Sequence, residues 1–173
     1  MILKPQDILV LLKLVSMGRV EWSYNQLAIV LAMSPAEVHA AIKRALAARL
    51  AIHGDENILV NIGNLKEFLI HGLKYVFVPD YGEMSRGIPT GYAAPPFNKK
   101  IAGGEEPPPV WPDAEGGVRG MSFSPLYKSV PKAVRKDHRL YELLVIVDVL
   151  RSGKAREQKM AINALEKKLK HYE

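Results

Sequence analysis

Between Ser34 and Arg44 the sequence sets polar side chains, Glu37, His39, Lys43 and Arg44, among two small ones, Ala36 and Ala40. At helical spacing these six lie outside the apolar stripe of Val38, Ile42, Ala45 and Leu46. Their chemistry is that of hydrogen-bond donors, acceptors and positive charge, suited to holding a ligand. The groupings that bond-making needs do not occur. His39, His53, His71, His138 and His171 show no metal-ligand spacing. Gly116-Gly117-Val118-Arg119-Gly120 lacks the preceding strand and the lysine of a phosphate loop, and Ser122 and Ser124 have no nearby base. Glu105-Glu106 sit beside prolines, as a solvated turn does. No catalytic residue, metal or cofactor is therefore expected.

Composition narrows the class. Apolar residues make up 48% and charged residues 24% of the 173, the balance of a globular chain with a real core. The absence of cysteine excludes disulfides, thiolate zinc sites and a cysteine nucleophile, and fits a reducing cytoplasm. Met1-Ile2-Leu3-Lys4-Pro5 has no basic flank leading into an apolar stretch, so no signal peptide is expected. Apolar runs such as Ile8 to Leu12 and Leu143 to Val147 are far short of the ~20 residues that span a bilayer. The expectation is a cytoplasmic protein without a membrane partner. The net charge of +6 is uneven: residues 1–72 carry +1, 73–130 none and 131–173 +5. The basic excess thus sits in the tail, where it is either attractive to phosphates or simply a solvated helical face.

Prolines divide the chain into three. Residues 1–78 hold two, both at helix-start positions; 79–131 hold ten of the twelve, with eight of the thirteen glycines; 132–173 hold none. In the first part, Lys4-Pro5-Gln6-Asp7 opens a helix carrying Ile8, Leu11, Leu12 and Val15, which stops at Gly18. Ser23 caps a second helix with Leu27, Ile29 or Val30, and Leu31 inward. Ser34-Pro35-Ala36-Glu37 starts a third helix, with Ser34 as cap, Pro35 at the first helical position and Glu37 closing a capping box; it ends near Leu50. Ala51-Ile52 and Ile58-Leu59-Val60 flank a turn-rich tip, His53 to Asn57, and form a β-hairpin.

Helix, helix, turn, helix, hairpin is the order of a winged helix-turn-helix, and Gln26 to Arg44 resembles the core of bacterial MarR-type regulators. The pattern that carries the likeness is small Ala28 in the second helix, an apolar residue before capping Ser34, and Val38 and Ile42 four apart. The resemblance covers about the first third of the chain. It implies that the third helix lies in the major groove of double-stranded DNA. Ser34, Ala36, Glu37, His39, Ala40, Lys43 and Arg44 are then the DNA-binding set. Glu37 would accept from a cytosine amino group and His39 donate to a base or phosphate. Ala36 and Ala40 would meet thymine methyls, and Lys43 and Arg44 phosphates. Two features depart from the pattern: the wing tip carries Asp55 and Glu56 but no cation, and the third helix is rich in alanine.

Beyond the hairpin, Asn64 is read as the cap of a short helix ending at Gly72, and Leu73 to Val78 as a strand. The segment 79–131 is expected to be irregular because of its prolines. Its aromatic residues (Tyr81, Tyr92, Phe97, Trp111, Phe123, Tyr127) argue for an ordered wrap over a neighbouring surface. Gly87 to Pro96 and Pro107 to Pro112 are either packing elements or stretches that recognise a partner. In 132–173, Leu140, Leu143, Leu144, Val147 and Leu150 predict an amphipathic helix, and Ala155, Ile162, Leu165, Leu169 and Tyr172 a second, either packing in the chain or joining a homodimer. The Pro-rich middle with its basic helical tail is also similar to winged-helix proteins encoded beside a toxin-like partner such as a nucleotidyltransferase, which implies an antitoxin and autorepressor. The expected fold is thus mainly α with a small β-hairpin wing: a winged helix-turn-helix head over 1–78, a Pro/Gly-rich segment over 79–131 and a dimerising helical tail over 132–173. The expected function is a dimeric repressor reading DNA, or alternatively an antitoxin-like adaptor that binds a partner protein through the middle.

Overall fold

A computed structural model describes residues 1–172 of the chain. Three helices come first: α1 (Pro5–Met17), α2 (Tyr24–Leu31) and α3 (Pro35–Ala47), followed by the antiparallel strands β1 (Ala51–His53) and β2 (Ile58–Val60). Local chemistry sets their ends. Pro5 and Pro35 occupy first-turn positions, and Gly18 closes α1 with a positive φ. Ser23 and Ser34 each accept from the backbone three residues on, while Gln26 and Glu37 reach back to the cap N–H. In α2 the inward residues are Leu27, Ala28 and Leu31, whereas Ile29 and Val30 both face solvent.

The stretch after the hairpin departs from expectation. Asn61, not Asn64, is the cap: its side chain accepts from the Asn64 N–H at 3.2 Å, and α4 runs Ile62–Glu67. A π turn, Phe68–Gly72, then leads directly into α5 (Leu73–Val76), where a strand was expected. The reason is visible in Leu65, Leu69 and Leu73, each buried and four residues apart. Burying Leu73 is worth about 1.5–3 kcal/mol, against roughly 1 kcal/mol for a glycine inside a helix. The buried stripe therefore carries the helix through Gly72.

The middle of the chain is not irregular throughout. Strands β3 (Tyr81–Pro89), β4 (Pro109–Pro112) and β5 (Val118–Phe123) form a second small sheet in which each strand pairs with both others. β3 is antiparallel to β4 and β5, and β4 runs parallel to β5. The protein is thus mixed α and β, with two separate small sheets. The prolines punctuate these strands rather than forbid them: Pro89 ends β3, and Pro109 and Pro112 bound β4. Closure of three such short strands needs glycine. A Cβ on Gly87 would stand 2.0 Å from the Trp111 carbonyl oxygen, and one on Gly120 2.0 Å from that of Pro108.

Helices α6 (Val130–Val134), α7 (His138–Ser152) and α8 (Ala155–Lys170) complete the chain. The expected amphipathic stripe of α7 is only part of its buried surface. Every residue from Leu143 to Arg151 is buried, so this part of the helix is enclosed on all sides, and α7 packs against α1, α5, α6 and α8. Leu165 and Leu169 of α8 and Tyr172 just beyond it are buried within the chain, while Ile162 is half-buried and Ala155 exposed. The tail stripes are thus covered by the chain itself. One contiguous core draws on all three parts of the sequence. Among the described residues no helix is long and apolar enough to cross a membrane.

One polar cluster sits inside this core. Asp148 of α7 accepts from Thr90 Oγ1 at 2.6 Å, Trp111 Nε1 at 2.7 Å and Arg151 Nη1 at 2.9 Å. Arg151 also donates to the carbonyls of Phe77 and Ser124. Gly87–Pro96 and Pro107–Pro112, read as packing or recognition stretches, thereby pack onto α7 in the same chain. Burial raises the Asp148 carboxyl from 3.8 to about 6, against the lowering effect of Arg151 and the two other donors. A raised folded pKa means the folded state binds the proton more tightly. The stability this group contributes is full below about pH 4 and is lost as pH rises through 6. In urea unfolding, the stability difference between wild type and Asp148→Asn is expected to move against wild type from pH 4 to pH 7; a difference flat across that range contradicts the assignment. Arg151→Ala, which leaves the buried carboxylate without its counter-charge, is expected to cost about 3–5 kcal/mol in the same measurement.

Candidate nucleic-acid interface

The outward face of α3 depends on how firmly its inner face is held. Val38, Ala41, Ile42 and Ala45 are buried against α1 and α2. Ala28 of α2 is 3% exposed, and its carbonyl accepts from the Met33 N–H at 2.9 Å, tightening the α2–α3 turn. Ala32 makes that turn with φ of 51°, a left-handed conformation. With Met33 tucked inward, α3 is presented as a fixed rod with one side in solvent.

The structure divides the seven sequence-derived residues into two groups. Ala36, His39 and Lys43 are exposed and Ala40 is half-buried, so together they form the open face of α3. Ser34, Glu37 and Arg44 have their functional groups committed inside the chain. Ser34 Oγ accepts from the Glu37 N–H at 3.1 Å. Glu37 uses one carboxylate oxygen on the Ser34 N–H, at 2.7 Å, and the other on the Tyr127 hydroxyl, at 2.6 Å. These contacts, the Tyr127 hydroxyl first, hold the Glu37 carboxyl down at about 2, while the same carboxylate pushes Tyr127 up to about 12. Glu37 is an anion locked between a helix cap and a tyrosine.

Arg44 differs most from its expected place among phosphate contacts. Its guanidinium forms a two-pronged pair with Asp7, Nε at 2.9 Å and Nη2 at 2.7 Å. Asp7 is fully buried in the first turn of α1, and also accepts from the Lys4 N–H at 2.8 Å. The pair ties the last turn of α3 to the first turn of α1. Arg44 is a structural strut rather than a free cation.

Two aromatic residues absent from the sequence-derived set belong to the site. Tyr24 stacks on His39 with ring centroids 3.5 Å apart and planes 12° from parallel, and Trp22 packs edge-on against Tyr24 at 5.2 Å. His39 is thus held by one ring face. The signal available for Tyr24 was its position as the first helical residue of α2. Tyr127 had no local signal, because its partner lies 90 residues away. At the other end of the domain, the hairpin tip presents exposed Asp55 and Glu56. Its base is braced by Tyr172, whose hydroxyl accepts from the Val60 N–H at 2.9 Å.

No protein-family model, curated protein or solved structure matches the chain. The arrangement is a helix held firmly by its own chain, with small and polar side chains outward. It offers imidazole and ammonium donors beside two alanine positions through which another molecule can approach the backbone closely. The two anchors are expected to behave differently from the open face. Arg44→Ala, stranding buried Asp7, should destabilise the fold by about 3–5 kcal/mol, and Tyr127→Phe by about 1 kcal/mol. Lys43→Ala should change stability by less than about 0.5 kcal/mol. Denaturant unfolding followed by circular dichroism checks all three; an Arg44→Ala variant as stable as Lys43→Ala would remove the strut.

Proposed function

We propose that the protein is a sequence-specific DNA-binding transcriptional regulator, a repressor, whose first three helices and hairpin act as a MarR-like winged helix-turn-helix. The observation that carries this reading is the open face of α3: Ala36, His39, Ala40 and Lys43 meet solvent while everything beneath them is anchored. A helix read in the major groove needs both properties, a side free of its own chain and a support that holds it in register. On this reading His39 and Lys43 supply the polar contacts, and Ala36 and Ala40 admit thymine methyls. Glu37 and Arg44 act by fixing the helix rather than by reading bases. No catalytic step is part of the proposal.

Paired half-sites call for two copies of the chain. The α7–α8 stripe is covered internally, so a homodimer would use another surface. A second reading, an antitoxin-like adaptor binding a partner protein, is favoured by one feature. Tyr75, Val76, Val78 and Tyr81, running from α5 into β3, are all more than half exposed, and Met84 and Met121 extend the strip across the paired strands. Contiguous exposed apolar side chains mark protein contacts more often than nucleic-acid ones.

Purified protein titrated onto the DNA upstream of its own gene, and onto unrelated DNA of equal length at two salt concentrations, separates these readings. A regulator is expected to prefer its own site by ~10³-fold or more, with His39→Ala lowering that preference and Lys43→Ala weakening binding to both duplexes alike, each leaving the fold intact. Binding to neither duplex, or equal salt-sensitive binding to both, would overturn the sequence-specific reading and favour the adaptor.

A further inference from the structure

Resting on the DNA-binding reading, we propose that the phosphate backbone is gripped not by the hairpin wing but by a basic ridge from the C-terminal part of the chain: Lys128, Lys132, Lys136 and Arg139. A helix placed in the major groove needs cations beside it, since most of the affinity for a duplex comes from neutralised phosphates. The wing cannot supply them, because its tip exposes Asp55 and Glu56. On α3 itself Lys43 stands alone, Arg44 being bound to Asp7.

The fold brings the missing charge to the right place. Tyr127 donates to Glu37 in the first turn of α3, so Lys128, the next residue, sits beside the N-terminal end of that helix. Its ammonium is close enough to Glu37 to help hold that carboxyl low. From there α6 packs along α2. Within α6, Val130, Pro131, Ala133 and Val134 are buried, which leaves Lys132 as its outward residue. Lys136 and Arg139 are exposed just beyond it.

None of these four cations makes a close ion pair among the described residues, although Lys128 lies near Glu37 and Lys132 near Asp113, and each helps hold that carboxyl low. Nearby charges are already matched: Arg135 pairs with Asp113 and Glu115, both at 2.9 Å, and His138 lies 3.2 Å from Glu142. Asp137, the acid within the segment, is taken by Lys13 and by the Leu140 N–H at the start of α7. The ridge therefore keeps positive charge at Lys128 beside the start of α3 and at Lys132 on the helix that packs against α2, with Lys136 and Arg139 exposed further along the chain. In a helix-turn-helix bound in the groove, the helix before the recognition helix crosses the backbone, while the start of the recognition helix meets base edges. The lysines of α8 lie on a helix that packs on α7 and α4.

Fluorescence anisotropy with labelled duplexes of the upstream sequence and of its scrambled counterpart, across a salt series, tests the ridge. Lys128→Gln with Lys132→Gln should weaken binding to both duplexes by the same factor and flatten the dependence of log affinity on log salt by about 1 per lysine. The preference for the upstream sequence should be unchanged. Lys159→Gln with Lys167→Gln on α8 is the control and should leave the slope as in the parent. A ridge variant that folds normally and keeps the parental slope overturns this inference alone. So does an α8 variant with an equal effect, which marks diffuse attraction to a basic protein. A parent that binds neither duplex overturns the DNA-binding reading and the ridge with it.

Discussion

The carboxylate of Asp148 is the point on which the rest of the molecule turns. It lies in the most enclosed helix of the protein, 1% exposed, and its three donors come from different parts of the chain: Thr90 after β3, Trp111 in β4 and Arg151 one turn along α7. Removing Arg151 leaves the buried carboxylate without its counter-charge, at greater cost than the loss of an exposed contact. Arg151 extends the constraint by holding the carbonyls of Phe77 and Ser124, the segments that enter β3 and leave β5. The small sheet is therefore fixed to α7 by polar geometry as well as by the burial of Trp111 and Phe97.

That attachment reaches the open helix. The chain leaving β5 passes through Tyr127, which meets Glu37, into α6, which packs on α2. Asp7 and Arg44 close the other end by tying α3 to α1, itself packed on α7. The third helix is consequently held at both ends by charge-assisted contacts, one to the sheet segment and one to the first helix. Its outward face keeps a set position, and the cations beside it belong to an element more than eighty residues downstream.

Much of the local architecture was legible because its causes are local. Capping boxes at Ser23 and Ser34 and prolines at first-turn positions act within three or four residues, and the structure places each where the pattern does. The hairpin and the boundary at Gly153 follow the same logic. The continuation of α4 through Gly72 was also present as a four-residue spacing of leucines, but the glycine was given more weight than the stripe. The β3–β5 sheet is not legible in the sequence because prolines argue against strand interiors, and only the structure places them at strand ends.

By itself, then, the sequence determined where the first three helices begin and that a hairpin follows them, since those follow from side chains a few positions apart. It also left a clue to the core: Asp148 and Arg151 interrupt an otherwise apolar run, and such a pair needs partners if it is buried. Tertiary structure alone decided which polar residues remain free. Arg44 and Lys43 are adjacent and chemically alike on paper, yet one faces a buried carboxylate 37 residues away and the other faces water. Glu37 is immobilised by a tyrosine 90 residues distant, and the tail stripes that looked ready to join two subunits are filled by the chain's own core. Charge pairing across such separations depends on where the backbone brings two groups together in space, and spacing along the chain does not encode that.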